Sequence, residues 1–139
     1  MTRLAPVLLV EDNLRDAEIV LAVLADQCVV NEEVHVRDGA EALDYLYRRG
    51  PFAGRANGPP AIVLLDLKMP KVDGLEVLRQ VKADPGLKVI PVIVLTSSRE
   101  EQDLVESYQL GAIGYVVKPP QFVELVSAAA KAGAFLALL

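Results

Sequence analysis

The sequence predicts a doubly wound α/β domain, a parallel five-stranded sheet with helices on both faces. Two observations carry this. Five short strand-like runs alternate with segments of helical periodicity along the 139 residues, and such alternation marks repeated βα units. Three of the runs, Val7-Leu8-Leu9-Val10, Ala61-Ile62-Val63-Leu64-Leu65 and Val92-Ile93-Val94-Leu95, are apolar at every position, as strands covered on both faces must be.

The elements follow in order. Strand 1 is expected from Pro6 to Glu11. Asp12 or Asn13 caps a first helix running to about Asp26, with Ile19, Val20, Val23 and Leu24 at helical spacing. Strand 2 spans Glu33 to Arg37, where Val34 and Val36 alternate with polar neighbours. Asp38-Gly39 opens a second helix ending near Arg49. Gly50 to Pro60 reads as a loop, rich in Gly, Pro and small residues, and as a tolerated surface insertion. Strand 3 is Ala61 to Asp66. Asp73-Gly74 opens a third helix ending near Asp84-Pro85-Gly86. Strand 4 is Pro91 to Thr96, the fourth helix about Arg99 to Leu110, and strand 5 Gly114 to Val117. A fifth, apolar helix fills about residues 120–139.

The same patterns predict the strand order. Strands 1, 3 and 4 suit central places. Strand 2 alternates and strand 5 is short, with Gly114 and Tyr115, so both suit edges. The order is then 2-1-3-4-5. Right-handed crossovers put helices 1 and 5 on one face and helices 2, 3 and 4 on the other. Winding reverses between strands 1 and 3, and open α/β sheets bind ligands at the carboxyl ends of the strands beside such a reversal.

Bulk properties narrow the class. Hydrophobic residues make up 53% of the chain and charged residues 24%, so a packed core is expected. The length suits one domain, spanning 1–139. Net charge is −5 at pH 7, with no basic run, which argues against nucleic-acid binding. Cys28 is the single cysteine, so a cytoplasmic, reducing compartment is expected. No stretch reaches the ~18 apolar residues of a membrane span, and the apolar start is too short for a signal peptide.

The strand endings carry the chemistry. Strand 1 runs into Glu11-Asp12, strand 3 ends on Asp66, strand 4 ends on Thr96, and strand 5 runs into Lys118-Pro119. A parallel sheet brings these endings to one edge. Carboxylates ~4 Å apart repel by about 4 kcal/mol at an effective dielectric near 20, and a hard divalent cation with oxygen ligands relieves that, in the Mg²⁺ pattern. A hydroxyl and an ammonium suit phosphoryl oxygens. An Asp carboxylate can act as the nucleophile and form an acyl phosphate. Taken singly, each residue has a plainer reading: Asp12 or Thr96 as a helix cap, Asp66 as a strand end, Lys118 as a solvated lysine. Asp38 and Asp73 read as caps. His35, the single histidine, cannot form a zinc site alone.

With those residues in view, the chain resembles the receiver domain of two-component response regulators over nearly its whole length. The matching pieces are LLVEDN at 8–13, LLDLKMPKVDGLEVL at 64–78, VIVLTSS at 92–98 and GAIGYVVKPP at 111–120. The resemblance implies a flavodoxin-like fold. It implies that Asp66 accepts a phosphoryl group from the phosphohistidine of a sensor histidine kinase. Asp12 would bind Mg²⁺ directly, Glu11 through water, and Lys68 through its backbone carbonyl. Thr96 and Lys118 would bind the phosphoryl oxygens, and the Lys118-Pro119 bond would be cis. Tyr115 would move inward with Thr96, or else is an ordinary half-buried edge aromatic. Such a domain is not an enzyme beyond its own phosphorylation and dephosphorylation, and its output is a changed protein-binding surface.

Other expectations attach to the departures. Lys68 follows the acceptor by two positions, where it could contact the phosphoryl group or hinder water. The apolar Phe122–Leu139 segment carries Phe135, Leu136, Leu138 and Leu139, more than one helix face buries. That surplus points to a homodimer through helix 4, strand 5 and helix 5. The EDN start and apolar C-terminus resemble receivers that partner phytochrome-type light-sensing kinases. The alternative is a Mg²⁺-dependent phosphatase of the haloacid-dehalogenase type, which would need an Asp where Lys68 stands. A docking module that keeps the fold without phosphorylation is a third reading, opposed by the full set Asp12, Asp66, Thr96 and Lys118.

Overall fold

A computed structural model of the chain describes residues 5–26, 32–55, 58–66, 73–96, 109, 111 and 114–117, the side chains of 23–26, 96 and 114–117 excepted. Five strands form one parallel sheet: β1 (Val7–Val10), β2 (Glu33–Val36), β3 (Ile62–Asp66), β4 (Val92–Thr96) and β5 (Gly114–Val117). Their order is β2-β1-β3-β4-β5, as the burial pattern of the sequence predicts. Three helices are described: α1 (Leu14–Asp26), α2 (Gly39–Tyr47) and α3 (Gly74–Ala83). The expected fourth helix, apart from the helical Gln109, and the fifth helix, Lys68, Lys118 and the Lys118-Pro119 bond lie outside the described residues.

β1, β3 and β4 are central because they are apolar on both sides. Every residue of β1 and β3 is buried. Side chains alternate across the sheet, so the core divides into two layers. Leu8, Val10, Val36, Val63, Leu65, Val92 and Val94 pack against α2 and α3. Val7, Leu9, Ile62, Leu64, Ile93 and Leu95 pack against Ala17 and Val20 of α1. Burying each leucine or valine contributes roughly 1.5–3 kcal/mol, and these layers lock the register that aligns the strand ends.

Each described helix starts on a side-chain cap. Asn13 Oδ1 accepts from the Asp16 amide at 3.0 Å, which settles the open choice between Asp12 and Asn13 in favour of Asn13. Asp38 accepts from Glu41 N at 2.8 Å and Asp73 from Glu76 N at 2.9 Å. Such caps satisfy amides that the helix itself cannot.

Part of the expected Gly50–Pro60 loop is built against α2. Gly50–Phe52 forms a 3-10 turn, and Phe52 meets Tyr45 edge-on at 5.2 Å between ring centroids. The Arg55 guanidinium sits 4.1 Å from the Tyr45 ring centroid and donates to the carbonyls of Tyr45 (2.9 Å) and Gly58 (3.0 Å). Arg48, left-handed at φ 56°, donates to the Arg55 carbonyl at 2.8 Å. Cation–π contact and these hydrogen bonds hold this stretch against the end of α2.

Candidate functional site

The sheet register builds the site. Val10, Leu65 and Val94 lie in one row across β1, β3 and β4. One residue further along come Glu11, Asp66 and Leu95, at the carboxyl edge beside the reversal of winding. The strands therefore deliver acidic residues from different parts of the chain to one place.

Glu11, Asp12 and Asp66 each offer a carboxylate oxygen, and these oxygens lie within 4.8 Å of one another. Glu11 is fully buried, Asp66 is 6% exposed, and Asp12 is open to solvent. The Glu11 carboxylate accepts from the Asn13 amide at 3.3 Å. Because Asn13 serves as the cap of α1, Asp12 is spared that duty and its carboxylate joins the cluster.

At that separation two carboxylates repel by about 3.5 kcal/mol at an effective dielectric of 20. All the donors are hard oxygens, and one of the three, on Asp12, faces water, so solvent reaches the cluster. This donor set fits a hard divalent ion held by a few carboxylates and completed by other oxygens. When bound, such an ion offsets the crowding of anions and the charge of an incoming phosphoryl group.

The remaining predicted residues are placed in part. Thr96 ends β4 with its backbone paired to Val117, and Tyr115 sits on β5 opposite Val94. Both strands therefore end at the same edge as Asp66. The side chains of Thr96 and Tyr115, and all of Lys68 and Lys118, lie outside the described residues.

One neighbour of the site escaped the sequence reading. His35 Nε2 lies 2.8 Å from the backbone carbonyl oxygen of Glu11. The signal was the β1–β2 pairing, which places His35 beside Leu9, two residues short of Glu11 on the adjacent strand.

Residues 7–130 match the family described as the response regulator receiver domain. The chain belongs to that family, and it is a two-component response regulator whose partner kind is a histidine kinase. This assignment displaces the haloacid-dehalogenase alternative. Relatives narrow the class further. Response regulator Rcp1 of Synechocystis sp. is 41% identical over 120 residues, covering 86% of this chain and 80% of Rcp1. The bacteriophytochrome response regulator AtBRR is 56% identical, with a TM-score of 0.84 over 99% of each chain. The phosphorylated cyanobacterial phytochrome response regulator RcpA is 40% identical, with a TM-score of 0.81 over 95% of this chain and 93% of its own. A Mn²⁺-bound form of Rcp1 is 37% identical over 90% of this chain and 91% of its own, also with a TM-score of 0.81. Receiver domains bind a divalent metal, and among the described residues the Glu11–Asp12–Asp66 cluster is the acidic group that fits one.

Proposed function

We propose that Asp66 is the phosphoacceptor of this response regulator and that Mg²⁺ is its metal. The observation that carries this is the meeting of Asp66 with Glu11 and Asp12 at the carboxyl edge of the sheet. A carboxylate oxygen of Asp66 attacks phosphorus, the bond to the donor histidine nitrogen breaks, and an acyl phosphate remains on Asp66. Asp12 and Asp66 would hold the metal directly, Glu11 through water, and Lys68 through its backbone carbonyl. Thr96 and Lys118 bind the phosphoryl oxygens. Phosphorylation adds charge and acceptor oxygens at the strand ends. Thr96 and Tyr115 then shift, and the surface around β5 changes its binding partner.

The donor we assign is a histidine kinase of phytochrome type. AtBRR and RcpA support this, as relatives named for bacteriophytochrome and phytochrome. The apolar C-terminal segment supports a homodimer formed with helix 4, strand 5 and helix 5. Residues 1–139 act as one receiver domain in the cytoplasm, with no nucleic-acid contact and no reaction beyond turnover of their own acyl phosphate.

Incubation with Mg²⁺ and acetyl phosphate, followed by intact-mass measurement, tests the reading. The parent chain gains one phosphoryl group and Asp66→Asn gains none. A parent that stays unmodified overturns the assignment. The dimer is tested separately by light scattering, where a monomer at all concentrations, phosphorylated or not, overturns it.

A further inference from the structure

Resting on the metal reading above, we propose that His35 is a positioning residue for the metal site, acting through the peptide unit that joins Glu11 to Asp12. The contact is the 2.8 Å approach of His35 Nε2 to the Glu11 carbonyl oxygen. A carbonyl accepts and cannot donate, so Nε2 carries the proton in this bond.

The location gives the bond its effect. The ladder between β1 and β2 pairs Val7 to Val10 with Glu33 to Val36 and extends only to the Glu11 amide, which donates to the Val36 carbonyl at 3.0 Å. Past that point the chain turns toward α1, so the Glu11 carbonyl lies beyond the paired rows. The His35 ring reaches along the edge and binds it from the neighbouring strand. That carbonyl shares its peptide plane with the Asp12 amide. Holding one end of the plane sets the direction in which Asp12 leaves the strand.

Asp12 needs such help because it is exposed, and packing alone does little to orient an exposed side chain. Two hydrogen bonds of the neighbouring Asn13 act at other atoms. Asn13 N binds the Glu11 carboxylate, and Asn13 Oδ1 caps the helix. His35 itself sits on the face of β2 opposite Val34 and Val36, which pack toward α2 and α3. An apolar or β-branched residue suits a half-buried edge strand equally well, but carries no donor that spans to Glu11.

The test is the affinity for Mg²⁺ alone, measured by following backbone amide resonances during MgCl₂ titration of the full chain. His35→Met keeps length and bulk without a donor. His35→Gln restores a nitrogen donor the same number of bonds from Cβ. Met at position 35 weakens Mg²⁺ binding about tenfold, the lower end of what outer-shell partners of a metal site contribute. Gln returns it to within about twofold of the parent. Thermal unfolding of both variants close to the parent separates this from loss of fold. An unchanged affinity in His35→Met, or equal weakening in His35→Gln, overturns the role of His35 and leaves the metal site standing. A parent that does not respond to Mg²⁺ overturns the metal reading itself, and the His35 role with it.

Discussion

The carboxylate oxygens of Asp12 and Asp66 come within 4.8 Å of each other, although one residue follows β1 and the other ends β3. Neither residue is brought there by local structure. The register Val10 to Leu65 fixes the two strand ends side by side, and apolar packing on both faces of the sheet holds that register against the repulsion.

Removing one charge should therefore stabilise the metal-free protein. Asp12→Asn is expected to unfold at a higher temperature than the parent in EDTA. Adding Mg²⁺ should raise the parent's midpoint, since a ligand at 100 times its Kd adds about 2.7 kcal/mol, and should raise the variant's far less. Asn13→Ala is the contrast: loss of the α1 cap costs about 1 kcal/mol with or without the metal. Thermal melts followed by circular dichroism decide this, and an Asp12→Asn melt below the parent in EDTA contradicts it.

Arg55 is predicted to matter for stability and not for phosphorylation. It covers the Tyr45 ring and binds two carbonyls at the end of α2 away from the strand tips that carry Asp66. Arg55→Ala should lower unfolding free energy by about 1–2 kcal/mol, read by urea denaturation. Its rate of labelling by acetyl phosphate should equal the parent's. A stability change within error of zero would show that this stretch is only a surface appendage.

Burial raises the Glu33 pKa above the ordinary carboxylate value of 4.5. The folded state therefore holds that proton more tightly than the unfolded state. The associated stability is fully present below pH 4.5 and is lost as pH rises through the folded value. Glu33→Gln should match the parent in acid and exceed it at neutral pH, by roughly a few tenths of a kcal/mol because the group remains largely solvated. Chemical denaturation at the two pH values checks it, and a variant less stable than the parent at neutral pH contradicts it.

The sheet was legible because burial is written into residue type. β1 and β3 contain no polar residue before their last position, whereas Glu33 and His35 interrupt β2, and that difference separates centre from edge on this side of the sheet. The acidic cluster was legible for the same reason: a parallel sheet aligns the ends of its strands. The cap of α1 was not, since Asp12 and Asn13 are both good caps and only the position of the Asp16 amide separates them. The His35 bond depends on a side chain reaching across strands, which one-dimensional pattern does not encode. The stacking of Arg55 on Tyr45 was hidden likewise, because Gly and Pro around position 55 signal a turn without saying what the turn packs against.

On the proposed reading, this crowded edge makes Asp66 the acceptor. Borohydride reduction of the acetyl phosphate-treated chain, followed by peptide mapping, locates the acyl phosphate directly. Modification at Asp66 in the presence of Mg²⁺, and none in EDTA, is the predicted result. Modification at Asp12 or Glu11 instead, or equal modification of Asp66 without the metal, would contradict the account.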